Sequence, residues 1–94
     1  MLKKLPSKLS VVTYVNSGSE ANDLAMQMAY FHTKKRKVIC LNNAYHGITK
    51  ACMDISPYKW TEHYKKPEHV IVAEVPDSYR GIMRNKEDPV KSYC

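Results

Sequence analysis

Residues 14–29 read YVNSGSEANDLAMQMA, and the turn inside them, Asn16-Ser17-Gly18-Ser19, decides how the chain is read. A short apolar run stops there and a helical pattern begins at once. The start of a helix carries unpaired backbone N–H groups and about half a positive charge. A glycine at that point lets an anion come close to the backbone, and serine hydroxyls add donors. Ser17, Gly18 and Ser19 together therefore make a good phosphate cradle. The plainer reading is that Ser17 or Ser19 only caps the helix and Gly18 only serves the turn. The stretch is not a Walker A loop, which closes on Gly-Lys-Ser/Thr. Nor is it the dinucleotide fingerprint, which needs three spaced glycines.

Upstream of the turn, Val11-Val12-Thr13-Tyr14-Val15 is β-branched and aromatic and predicts a buried strand. Downstream, Ala21, Leu24, Met28 and Phe31 share one helical face. The helix is predicted to end near His32-Thr33, where the basic run Lys34-Lys35-Arg36-Lys37 begins. Val38–Leu41 is continuously apolar and predicts a strand covered on both faces. Ile48 to Met53 predicts one or two helical turns. Pro57 then pushes Ser56 out of helical geometry, so ISPYKW (55–60) is a break. His69–Ala73 predicts a third strand. The order strand, helix, strand, short helix, strand argues an α/β layer with a mostly parallel sheet. No helix follows the third strand, so part of the sheet is expected to lie uncovered. From Val75 the chain is polar and proline-containing, and residues 85–94 are expected to form a mobile tail.

The bulk properties narrow the classes. Ninety-four residues suffice for one small domain. The net charge of +6 raises the possibility of a polyanion partner. Cations past a helix C-terminus are also favoured by the helix dipole alone, and no aromatic residues interleave with the basic run as a stacking platform would require. Cys40, Cys52 and Cys94 are odd in number and form no Cys-x-x-Cys pair, which fits a reducing compartment. No apolar run approaches 18 residues, so no membrane-spanning helix is expected. The start, MLKKLPSKLS, is basic but lacks an apolar core after it, unlike a secretory signal. It is also too short and proline-broken for a transit peptide. His32, His63 and His69 show no ligand spacing, so no metal site is expected.

A second loop bears on the first. Ala44-Tyr45-His46-Gly47 follows a predicted strand and offers an aromatic face to a flat ligand, although a Tyr-His pair also serves plain packing. Taken together, NSGSEAND (16–23) and AYHG (44–47) resemble the class III pyridoxal-phosphate-dependent aminotransferases of fold type I. The resemblance runs from about Leu9 to Arg84. DISPYKW (54–60) and VPDSYRG (75–81) are similar to one branch of that family. It holds ethanolamine-phosphate phospho-lyase, 5-phosphohydroxylysine phospho-lyase and the mitochondrial alanine–glyoxylate aminotransferase.

The resemblance implies that Gly18 and Ser19, with Ser17 alongside, bind the phosphate of pyridoxal 5′-phosphate. It implies that Tyr45 stacks on the cofactor ring, and that Glu20 and Asn22 have structural roles in the first helical turn. In the family an aspartate pairs with the pyridine nitrogen, and a lysine anchors the cofactor and moves the proton. Both lie downstream of the matched motifs, and no lysine here stands in that context, so no catalytic residue is assigned. The expectation is therefore a partial large domain over residues 1–94, inactive alone. The parent enzyme is expected to be a homodimer, mitochondrial or cytoplasmic, that acts on a small amine or amino acid. It would transfer an amino group or eliminate phosphate. No nucleic-acid or membrane partner is expected. The alternatives are a small basic polyanion-binding module, or a slice that pairs with a full subunit and spoils its dimer.

Overall fold

The computed structural model describes residues 5–6 and 8–93, so the basic pair Lys3-Lys4 lies outside the described residues. The first element is helix α1, Gly18–Thr33. Ser17 caps it in extended geometry, and its hydroxyl accepts the Glu20 N–H at 3.1 Å. Glu20 turns back and accepts the Asn16 N–H at 2.7 Å. This is a reciprocal Ser-x-x-Glu arrangement whose return bond lands one residue ahead of the cap. At the other end Lys34 adopts a left-handed conformation (φ 58°) and its N–H reaches the Tyr30 carbonyl. That closes the helix where the basic run starts.

Strand β1, Val38–Leu41, pairs with strand β2, Val70–Ala73, in a two-stranded parallel sheet. Val38 stands opposite Val70 and Leu41 opposite Ala73. Parallel neighbours need a long crossover, here residues 42–69. The crossover holds helix α2, Lys50–Asp54, and a single 3₁₀ turn, Pro57–Lys59. A last short helix, α3, spans Pro89–Ser92 and is capped by Asp88. The Tyr93 hydroxyl donates to the Asp77 carbonyl at 3.2 Å and accepts the Met83 N–H at 3.3 Å.

The core is small. Cys40, Ile55 and Val70 are buried, with Met26, Val38, Trp60 and Val72 packed around them. Cys40 and Cys52 are both buried and unbridged. Among the described residues no helix is long and apolar enough to cross a membrane.

Three sequence expectations are corrected. Val11–Val15 forms no strand: its residues are exposed and lie outside the sheet of the described residues. β-propensity makes a strand only where a ladder partner stands alongside. β1 is covered on one face, not two: Cys40 is buried while Ile39 is 70% exposed. The face of α1 expected to be buried is largely open, with Met28 62% and Phe31 66% exposed. Of that face only Leu24 is half-buried, and the other half-buried positions are Ser19, Asn22, Asp23 and Met26. These lie over α2 and the small core, the elements that α1 has to pack against.

Candidate functional site

The start of α1 meets the loop after β1 at one cavity. It has a volume of about 310 Å³ and is lined by Gly18, Ser19, Asn22, Tyr45, His46 and Gly47. Three of the four predicted cofactor residues, Gly18, Ser19 and Tyr45, are thus brought together from segments 26 to 27 residues apart. Ser17 is not in the lining; its hydroxyl is engaged in the helix cap. The plain capping role weighed from the sequence holds for that serine.

The first N–H groups of a helix have no carbonyl to bond within it. Glu20 N–H is taken by Ser17 Oγ and Ala21 N–H by Ser17 O. The Gly18 and Ser19 amides remain at the cavity without an intrahelical acceptor. A Cβ built on Gly18 would meet no atom within 4 Å. The space over the turn is therefore open to a ligand and not filled by the protein.

Ser19 has a double role. Its Oγ accepts the Ile48 N–H at 3.1 Å, which ties the loop to the helix and leaves the hydroxyl proton available. Gly47 makes that approach possible. It is buried, its φ is 136°, and any side chain there would run into Ser19. Asn22 closes the same gap: its Nδ2 donates to the His46 carbonyl at 2.7 Å. This is the structural role expected for Asn22, and Glu20 meets the same expectation through Asn16.

Tyr45 is 52% exposed, with its ring edge-on to Tyr58 at 6.3 Å between centroids. Lys59 Nζ lies 5.4 Å from the Tyr45 centroid and 5.5 Å from that of Tyr58. Such a cation–aromatic contact orients the ring without covering all of it. Among the described residues no lysine and no carboxylate lines the cavity.

A larger open groove, about 1310 Å³, runs along α1 and the sheet past Met26, Tyr30, Ile39 and Ile55. It is mainly apolar and marks where α1 stands away from the sheet. The smaller cavity is the one where free amides, a hydroxyl and a ring face converge.

Sequence reasoning missed Cys52 and Ser56 as parts of this arrangement, and it named Gly47 only as the end of the Tyr-His loop. The available signals were Pro57, which frees Ser56 from the helix, and the glycine ending the Tyr-His loop. The basic run lies beyond the far end of α1, where Lys34 sits over the Phe31 ring and Arg36 over the Tyr30 ring.

The family profile described as aminotransferase class-III matches residues 1–92. The chain is 46% identical over 91 residues to a protein of Drosophila melanogaster named alanine–glyoxylate aminotransferase 2-like, covering 95% of this chain and 18% of that one. It is 43% identical over 86 residues to ethanolamine-phosphate phospho-lyase homolog 1 of Caenorhabditis elegans, covering 89% of this chain and 18% of the relative. A solved phospholyase from Arthrobacter, in complex with phosphoethanolamine, superposes with a TM-score of 0.70 at 33% identity, over 82% of this chain and 18% of that chain. The chain thus spans less than a fifth of the length of the relatives it matches.

Proposed function

The chain belongs to the class-III aminotransferase family, and on that premise we propose that its Ser17–Ser19 turn and Tyr45 form the phosphate-and-ring half of a pyridoxal 5′-phosphate site. The observation that carries the reading is the shared cavity: two amides without intrahelical acceptors and an exposed aromatic face open onto the same 310 Å³. In this reading the Gly18 and Ser19 amides and the Ser19 hydroxyl hold the phosphate, and the helix dipole favours its charge. Ser17 contributes by fixing the turn through its cap. Tyr45 packs against the ring face. When bound, the cofactor supplies an electron-withdrawing ring for chemistry at the carbon bearing an amine.

The protein to which these residues belong is proposed to work as a homodimer. It transfers an amino group, or eliminates phosphate from a phosphorylated amine. The names of the relatives support both reactions and do not choose between them. This chain by itself is proposed to bind without turnover, because among the described residues its cavity gathers no lysine or carboxylate to move a proton.

The test uses pyridoxine 5′-phosphate, which lacks the aldehyde and so does not condense with the chain's lysines. Backbone amide shifts on titration should concentrate at Gly18, Ser19 and Tyr45–Gly47. Shifts centred on residues 34–37 would replace this reading with the basic-module one.

A further inference from the structure

Two side chains that carry hydrogen-bonding groups, a thiol and a hydroxyl, are completely buried beneath the cavity. Cys52 in α2 and Ser56 just after it both have 0% exposure. Neither lines the cavity, and a core this small would ordinarily take apolar groups there. A buried hydroxyl or thiol is retained without penalty only when its hydrogen bonds are made. Theirs are made, and they run to the two walls of the site.

The Ser56 hydroxyl accepts the His46 N–H at 2.9 Å and donates to the Cys52 carbonyl at 2.5 Å. The Cys52 thiol donates to the Ser19 carbonyl at 3.4 Å. One wall is the phosphate turn, held through Ser19. The other is the ring loop, held through His46, the residue next to Tyr45. The geometry depends on Pro57. It ends α2 at Asp54 and leaves Ser56 at φ −110°, ψ 83°, from which the hydroxyl turns back to the carbonyl four residues earlier.

We propose that Cys52 and Ser56 are positioning residues that hold the phosphate turn and the ring platform at a fixed separation, so that one ligand engages both at once. The proposal rests on the cofactor reading above. Without its anchor each wall is loosened and holds its own half of the ligand less firmly, and the two halves no longer reinforce each other. Linking two contacts on one ligand raises affinity only while their spacing matches it.

The experiment titrates the full 94-residue chain with three probes: inorganic phosphate, pyridoxine and pyridoxine 5′-phosphate. Binding is read from amide shifts, and coupling from amide hydrogen exchange. Ser56→Ala should leave phosphate affinity unchanged and weaken pyridoxine. It should lower pyridoxine 5′-phosphate affinity about tenfold, the loss of roughly one hydrogen bond's worth of ordering. Cys52→Ala should weaken phosphate and spare pyridoxine, and Cys52→Ser, which keeps a donor, should restore it. Ile55→Val loosens packing in the same turn without altering a hydrogen bond, and should not separate the probes. In the unsubstituted chain inorganic phosphate should slow exchange at the His46 amide, whose hydrogen is held by Ser56 Oγ and not by the probe. That last measurement decides the matter even if Ser56→Ala does not fold. Equal losses for all three probes, matching Ile55→Val, would overturn the positioning role, as would an unresponsive His46 amide. Failure of the unsubstituted chain to bind any probe at Gly18, Ser19 or Tyr45 would instead remove the cofactor reading itself.

Discussion

At the scale of single residues, the three members of the Ser-Gly-Ser turn do different work. Ser17 is occupied with the helix cap, so its replacement by alanine should act on α1 first, at a cost of about 1 kcal/mol. Ser19 both anchors the loop at Ile48 and offers its proton to the cavity. Ser19→Ala should therefore remove a charge-assisted bond, on the order of 1.5–3 kcal/mol. That is a loss of about ten- to hundredfold in affinity for pyridoxine 5′-phosphate, measured by titration calorimetry, and the Ile48 amide should lose exchange protection in the same variant. Tyr45→Phe should be mild, since stacking needs the ring and not the hydroxyl, while Tyr45→Ala should weaken binding clearly. The candidate positions Gly18, Ser19 and Tyr45 were legible because turn chemistry is local. Cys52 and Ser56 were not, because their meaning lies in bonds to residues 33 and 10 positions away.

At the scale of elements, the boundaries of α1, β1, α2 and β2 followed from caps, breakers and apolar runs that act within a few residues. Which faces are covered did not, because coverage depends on neighbours that no local pattern reports. Met28 and Phe31 lie on an apolar stripe left largely exposed, with Lys34 over the Phe31 ring, and Val11–Val15 has strand composition but no ladder among the described residues. The crossover has its own polar anchor. Asp54 accepts from Lys50 at 2.6 Å and from the Tyr64 hydroxyl at 2.5 Å, which fastens the 61–67 loop to α2. Burial alone would raise the Asp54 carboxyl, but the hydrogen bonds from Lys50 and Tyr64 outweigh it and hold it below the usual carboxylate range. A carboxyl lowered by folding contributes stability above its unfolded value, about 3.9, and that contribution is lost as pH falls through the folded value. The Tyr64 ring resonances should therefore stay dispersed at neutral pH and collapse only in acid below the ordinary carboxylate range. Asp54→Ala should collapse them already at neutral pH, at a cost of about 1–2 kcal/mol. Dispersed Tyr64 signals in that variant would contradict the anchor.

At the scale of the whole molecule, the layout is open. The radius of gyration is 16.5 Å, against about 12 Å for a compact domain of this length. The α/β order read from the sequence is present from α1 to β2 without the first strand, and among the described residues the sheet has two strands and one bare face. Apolar burial on that scale barely offsets chain entropy. The chain should therefore melt broadly and at low temperature, and pyridoxine 5′-phosphate in excess should raise the midpoint by linkage. A sharp two-state melt of the dilute, unliganded chain would argue against this. Most directly testable is the central claim, that the turn at the head of α1 is a phosphate cradle and not merely a capped helix start. Gly18→Val is the decisive variant, because a Cβ there lies in open space, so the fold tolerates it while a branched side chain would hinder a phosphate's approach to the backbone of the turn. The measurement is its affinity for pyridoxine 5′-phosphate by calorimetry, beside the unsubstituted chain and a variant with Lys34 and Lys35 changed to glutamine. Gly18→Val should lose more than about tenfold in affinity, with helix content retained and the lysine variant nearly unchanged. Undiminished binding in Gly18→Val, with a large loss in the lysine variant, would contradict it.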